Sequence, residues 1–235
     1  MTGAGAPRAV EDEPAFLAGL LPLEGARVLD LGCGDAAFSR RLLARGYAAS
    51  VDALEVDAAR HAKNLAAPAV SGLAFGTGGA DDIPFPDGRF DLALMLKSLH
   101  HVPADRMDRA LGEVRRVLRP GGRLYVSEPV YDGEFNEIMR LFHDEGEARA
   151  AAIDAIARAV ASGRFRPLAQ VRFVSPIVFR DFADFEARMM GVTHSRPDRS
   201  ADTVARVRER FERHLGPGGA RFERPMRADL LEAAP

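Results

Sequence analysis

The most constraining stretch of the chain is Val28-Leu29-Asp30-Leu31-Gly32-Cys33-Gly34-Asp35-Ala36. The apolar run beginning at Arg27 is short enough for a buried strand, and it enters a turn with two glycines. AFSRRLLARG follows with helical periodicity and stops at Gly46. Strand, glycine turn and helix in this order open a parallel α/β sheet, bring the backbone close to a ligand and aim helix N-terminal amides at it. Two details narrow the ligand. An acid, Asp30, precedes the first glycine, and the third glycine of a dinucleotide fingerprint is missing, with alanines following Asp35. An anion beside the loop disfavours a pyrophosphate and suits a ligand with a cationic end.

The pattern continues downstream. EPAFLAGLLP reads as a short helix before the first strand, AASVDALEV contains a second strand, AARHAKNLAA is a helix closed before Pro68, and GLAFGTG holds a third strand. FDLALML is apolar throughout apart from Asp91, as expected of a strand covered on both faces. Residues 103–119 place Met107, Leu111, Val114, Val117 and Leu118 on one helical face, and RPGG turns the chain into a fifth strand, RLYVSEP. Residues 134–162 are helical and longer than an ordinary crossover. QVRFVSPIVF is a further strand, DFADFEARMM and DTVARVRERFERHL are helices, and RFERPMRADLL is a last strand; the tail as a whole reads as the end of the sheet, an antiparallel edge. The expectation is an α/β fold, a doubly wound, mostly parallel seven-stranded sheet with an inserted helical cap at about 134–162. With no flexible linker visible, 1–235 reads as one domain: 26–130 is a cofactor-binding half, and 131–235 carries the cap and completes the sheet.

Composition excludes several function classes. Cys33 is the single cysteine, so an internal disulfide and a zinc cluster built on thiolates are ruled out. No HxxxH or HxH spacing suggests a metal. No apolar run approaches the roughly 20 residues of a membrane helix, and MTGAGAPRAVEDEPAF lacks the layout of a secretory signal, so the chain is expected to be cytoplasmic. The net charge of −2 gives no global basic field for nucleic acid, and VRRVLRPGGR and ARVRERFERH read as solvated helix faces. The expected partner is a small-molecule substrate, with neither nucleic acid nor membrane; a homodimer is left open. Lys63 and Lys97 are the only lysines among 32 basic residues.

Four segments, VLDLGCGDAAFSRRLLARG, the acids after the second strand, ADDIPFPDGRFDLALMLKSLHHVP and ALGEVRRVLRPGGRLYVSEP, together resemble the class I S-adenosylmethionine-dependent methyltransferases. The resemblance is strongest to the subgroup that acts on quinone precursors and other small molecules, and it covers about residues 26–130. It implies a Rossmann-like fold, S-adenosyl-L-methionine as cofactor, and methyl transfer by in-line displacement to a small-molecule acceptor. Gly32, Cys33 and Gly34 would meet the methionyl end through backbone groups, with Asp30 helping through its carboxylate or a water. Glu55 would accept the ribose hydroxyls, with Asp57 and Asp52 as alternatives, and Val56 would pack on adenine. Ala80 and Asp81 would meet the adenine edge, and Ile83 would form the second apolar wall. Ala36 for the third glycine and Gly79 for an acid near adenine are the departures from the family pattern.

The acceptor side is less determined. The fourth strand delivers Lys97, Ser98, His100 and His101, and the fifth delivers Glu128 and Tyr131. Lys97 either lines the cofactor and points its amine at the acceptor or snorkels to the surface. His100 and His101 are equal candidates for a base, each with a structural alternative, and Glu128 is the best-placed carboxylate for gripping or deprotonating an acceptor. His143 and His194 are further pocket candidates. Phe135, Ile138, Met139, Leu141 and Phe142 either roof an apolar acceptor or simply pack their helix. MLKSLHHVP replaces the NPPY-like or DPPY-like turn associated with methylation of a nucleobase amine or a glutamine amide. Two alternatives stand beside methyl transfer. One is a non-catalytic S-adenosylmethionine-binding scaffold. The other is aminopropyl transfer, which expects an acid where this chain has Lys97 and histidines.

Overall fold

The computed structural model describes residues 8–192 and 197–234; His194 lies outside them. Nine strands are described where the sequence predicts seven, in the order β1-β7-β9-β6-β5-β2-β3-β4, with β8 on β9. The strands are β1 (Arg8–Ala9), β2 (Arg27–Leu31), β3 (Ser50–Leu54), β4 (Leu73–Gly76), β5 (Phe90–Leu96), β6 (Leu118–Pro129), β7 (Phe165–Phe179), β8 (Leu215–Gly216) and β9 (Gly219–Ala233). The two extra strands are two-residue pieces, too short to leave an alternation in the sequence. β4-β3-β2-β5-β6 pair in parallel throughout.

The contacts divide the chain into two compact units. The larger comprises Asp12–Glu128, Glu147–Val171 and Arg227–Pro235; the smaller comprises residues up to Glu11, Pro129–Gly146 and Arg172–Met226. The long strands β7 and β9 contribute to both.

In the larger unit the helices are α1 (Glu13–Leu20), α2 (Ala37–Ala44), α3 (Ala58–Ala66), α4 (Met107–Val117) and α6 (Gly146–Ala161), whose first residue alone falls in the smaller unit. Side chains start them: Asp12 accepts from Ala15 N at the head of α1, and Asp57 accepts from Ala59 N and Arg60 N at the head of α3. α4 buries Met107, Ala110, Leu111, Val114 and Val117, the i, i+3, i+4, i+7, i+10 set of one face. Each large apolar side chain fully covered in this way contributes roughly 1.5–3 kcal/mol. Ala152, Ala155, Ile156 and Ala159 of α6 join the same core with Leu29, Met95, Leu124 and Val126 of the sheet.

The helical stretch 134–162 is therefore two helices. α5 (Glu134–Met139) belongs to the smaller unit, and α6 packs on the sheet core of the larger one. The smaller unit also holds α7 (Phe182–Phe185), a π-helical turn at Glu186–Met190 and α8 (Ala201–Glu212). Its core is built on phenylalanines: Phe135, Phe142, Phe179, Phe182, Phe185, Phe211 and Phe222. Among the described residues no helix is long and apolar enough to cross a membrane.

β2 is flanked by β3 on one side and β5 on the other, so the strand order reverses between β2 and β5. In an open α/β sheet this switch point, at the carboxyl ends of the strands, is where ligands bind.

Candidate functional site

Gly32 leaves β2 with φ +73°, and Gly34 follows with φ +60°. Gly32 N and Cys33 N both donate to Leu54 O at 3.0 Å, and Ser98 Oγ donates to Leu31 O at 2.7 Å. A Cβ on Gly32 would lie 2.8 Å from Ser98 Cβ, so the loop can approach β5 this closely only with glycine there. Ala36, the N-cap of α2, is fully buried and left-handed at φ +55°. The position keeps the backbone of a glycine without being one, a conformation costing an L-residue roughly 1–2 kcal/mol.

Asp30 sits two residues before the loop and is 1% exposed. Ser39 Oγ, on the buried face of α2, donates to its Oδ2 at 2.5 Å, and its Oδ1 has no partner. Burial pushes the carboxyl up to about 6. The Ser39 hydroxyl and Lys97 oppose the rise, while Glu55 and Asp35 add to it. Burial, followed by the fields of Asp30 and Glu55, also raises the Cys33 thiol, which stays protonated and is a poor nucleophile.

Glu55 follows β3 and is 5% exposed. Its Oε2 accepts from Gly34 N at 2.8 Å and its Oε1 from Asp57 N at 2.8 Å, so the carboxylate ties the glycine loop to the head of α3. Asn64 supports the same loop by donating from Nδ2 to Gly34 O at 2.8 Å. Asp57 is spent on capping α3, and Asp52, within β3, pairs with Arg89 at 2.8 Å. Val56 is 68% exposed beside Glu55, an apolar surface with nothing over it.

The turn at 79–82 closes through Asp82 N donating to Gly79 O, and Asp81 pairs with Arg106 at 3.3 Å. Ala80 is half-buried. Ile83 is buried in the core with Leu54 and Leu99, its N–H held by Glu113, whose carboxylate Arg116 keeps below the usual range.

At the tip of β5, Lys97 is left-handed at φ +56°, its N–H donates to Ser127 O, and its Nζ lies 3.7 Å from Glu13 Oε2. Glu13 also accepts from Tyr125 OH at 3.2 Å. Strain of this kind, held by neighbours, is typical of ligand sites. Glu128 points inward: its Oε1 accepts from Leu99 N at 2.9 Å and His100 N at 3.4 Å, and its Oε2 forms a short hydrogen bond with His100 Nδ1. Glu128 and His100 are 5% and 6% exposed, whereas His101 is exposed with its ring 4.0 Å from that of His100. His143, in the smaller unit, pairs with Glu145 at 3.1 Å.

Sequence reasoning brought forward Asp30, the glycines, Glu55 and the β5 and β6 tips, and the structure gathers these at the carboxyl ends of adjacent strands. It did not single out Glu13, Ser39 or Asn64. The available signal for Ser39 was a small polar residue between Phe38 and Leu42 on a buried helix face.

The donor set fits S-adenosylmethionine: a close-approach glycine loop for the amino-acid end, a buried anion for its positive charge, a carboxylate at the β3 end for a diol, and bare Val56 for a flat ring. Residues 29–126 match the family model described as "Methyltransferase domain". The chain is 38% identical over 117 residues to a fatty-acid O-methyltransferase of Mycolicibacterium smegmatis, covering 47% of this chain and 40% of that protein. It is 37% identical over 119 residues to the 27-O-demethylrifamycin SV methyltransferase of Amycolatopsis mediterranei, covering 48% and 42%. The match therefore spans about two-fifths of those relatives' length. Among solved structures, the Bacillus subtilis YcgJ protein superposes with a TM-score of 0.66 at 16% identity, covering 94% of this chain and 98% of that one. The [4+2]-cyclase SpnF does so at 0.61 and 21%, covering 94% and 80%.

Proposed function

We propose that this chain, whose residues 29–126 match a methyltransferase domain, is a class I S-adenosylmethionine-dependent methyltransferase that transfers a methyl group to a small-molecule acceptor. The observation that carries the reading is the glycine loop closed onto Glu55 at the switch point of the sheet. The relatives named above support a small-molecule acceptor: both are named as methyltransferases, one of fatty acids and one of a rifamycin. The fold alone would not fix the reaction, since another solved structure similar in fold is named as a cyclase.

S-adenosylmethionine supplies a methyl carbon already activated by its sulfonium charge. The chain's own residues then have three tasks. Gly32, Cys33 and Gly34 hold the amino-acid end through backbone groups while Asp30 offsets the positive charge. Glu55 holds the ribose diol, and Val56 packs on adenine next to Ala80 and Asp81, with Ile83 backing that wall from the core. Lys97, Ser98 and the 99–101 turn set the floor of the transfer site. The remaining requirement is an acceptor atom held roughly 3–3.5 Å from the methyl carbon with water excluded. A base is needed only where that atom must lose a proton. His101 is the exposed candidate, and His100 and Glu128, locked together, position the turn that carries it.

The test is a transfer assay with methyl-labelled cofactor and a pool of small-molecule extracts, with product mass identifying the acceptor. Labelled product with release of S-adenosylhomocysteine is the expected result. Cofactor binding with no turnover across chemically diverse pools would instead favour the non-catalytic scaffold.

A further inference from the structure

We propose that Ser39 is a positioning residue for the cofactor site: its hydroxyl clamps one oxygen of the buried Asp30 carboxylate, holds it as an anion at the base of the glycine loop, and so makes capture of a cationic ligand depend on proton concentration. The inference rests on the cofactor reading above and goes beyond it by assigning a residue and a regulation to that site.

The geometry is specific. Ser39 is fully buried, and its Oγ lies 2.5 Å from Asp30 Oδ2. Asp30 is locked into the sheet by pairing with Ala53 of β3 and Leu94 of β5. Its Oδ1 is buried without a partner. An unsolvated carboxylate of this kind is costly as an anion and exerts a strong field in its low-dielectric surroundings.

The charged groups around it come from each neighbouring element: Lys97 beyond β5 favours ionisation, while Glu55 beyond β3 and Asp35 in the loop oppose it. Lys97 is itself shared with Glu13 of α1. That leaves the Ser39 hydroxyl, on α2, as the one close neutral donor to Asp30 among its described hydrogen bonds. The carboxyl sits at about 6, within reach of ordinary changes in pH. Above that point the anion attracts the sulfonium and ammonium charges of the ligand; below it the attraction is lost.

The experiment is calorimetric binding of S-adenosylmethionine and of the neutral 5′-methylthioadenosine between about pH 5 and about pH 8. It uses the wild type, Ser39→Ala and Ser39→Thr. For the wild type, S-adenosylmethionine affinity falls about tenfold per pH unit below an inflection near 6, whereas methylthioadenosine affinity stays flat. Ser39→Ala moves the inflection up by about one unit, the worth of one hydrogen bond to a carboxylate, and Ser39→Thr restores it. Infrared spectra of the unliganded wild type and Ser39→Thr proteins give a readout independent of binding and of the alanine variant's folding: a protonated-carboxyl band that grows through the same inflection. A flat S-adenosylmethionine profile, or an inflection that Ser39→Ala leaves in place, overturns the proposal. Failure of both ligands to bind at any pH rejects the cofactor reading instead.

Discussion

Replacing Asp30 by Asn should make the protein more stable, by an amount that depends on pH. The folded-state carboxyl stands at about 6 because burial penalises its charge, against roughly 3.9 in an unfolded chain. Two units of difference correspond to about 3 kcal/mol. Because the folded value is the higher one, the folded state holds this proton more tightly. The associated stability is fully present below about pH 3.9 and is lost as pH rises through about 6. At about pH 8 the ionised Asp30 therefore costs about 3 kcal/mol. Asn keeps an oxygen for Ser39 and removes the charge, but places an amide nitrogen where Oδ1 had no partner, at a cost of about 1 kcal/mol. The expected net gain is about 2 kcal/mol at pH 8, falling to about 0.5 kcal/mol at pH 5, where the wild type has recovered about 1.4 kcal/mol by protonation. Urea unfolding of both proteins at the two pH values, followed by circular dichroism, measures this directly, and the midpoint of thermal unfolding at pH 8 should rise by roughly 4–8 °C. A variant no more stable than wild type at pH 8, or a difference that does not change with pH, would refute the argument that Asp30 is a desolvated anion kept at a stability cost.

Other substitutions test other parts of the account. Glu128→Ala removes the acceptor of the Leu99 and His100 amides and the carboxylate bonded to the His100 ring. It should cost about 3 kcal/mol in denaturant unfolding, with Glu128→Gln costing about 1 kcal/mol, and equal effects would contradict the positioning role. Gly32→Ala forces a Cβ to 2.8 Å from Ser98 Cβ at φ +73°; roughly 2–4 kcal/mol of stability and most cofactor binding should be lost, measured by thermal shift with and without ligand. Ala36→Gly relieves a left-handed alanine and should stabilise by about 0.5–1 kcal/mol after the entropy of glycine is deducted. Its chemical-denaturation midpoint should rise, and a fall would show that the αL conformation carries no strain here.

What the sequence made legible was local. Asp30, the two glycines and the helix start lie within one short segment, so strand, turn and helix could be read together; β5 announced itself by the apolar run Leu92–Leu96, and Glu55 by its place just after the second strand. What it hid was long-range. Tyr125 and Glu13 are 112 positions apart, Asn64 and Gly34 are 30 apart, and nothing in either local pattern marks the pairing. Glu128 looked like a reactive carboxylate because a strand tip is a good address for one. Its orientation toward the Leu99 and His100 amides depends on a turn whose path only the folded chain displays. The stretch 134–162 read as a helical cap without a visible internal boundary, because its composition favours helix on both sides of 140–145. The structure separates it there into α5, with the phenylalanine cluster, and α6, on the sheet.

The central claim is that the Gly32–Gly34 loop and Glu55 together form a site for S-adenosylmethionine. Isothermal titration calorimetry of the intact chain with this ligand, alongside Glu55→Ala, tests it most directly. The account predicts saturable one-site binding for the wild type and a loss of about tenfold or more in affinity for the variant, as expected when a charged hydrogen-bonding partner of the ribose is removed. Binding that Glu55→Ala leaves unchanged, in a variant that retains its fold by circular dichroism, would contradict the assignment.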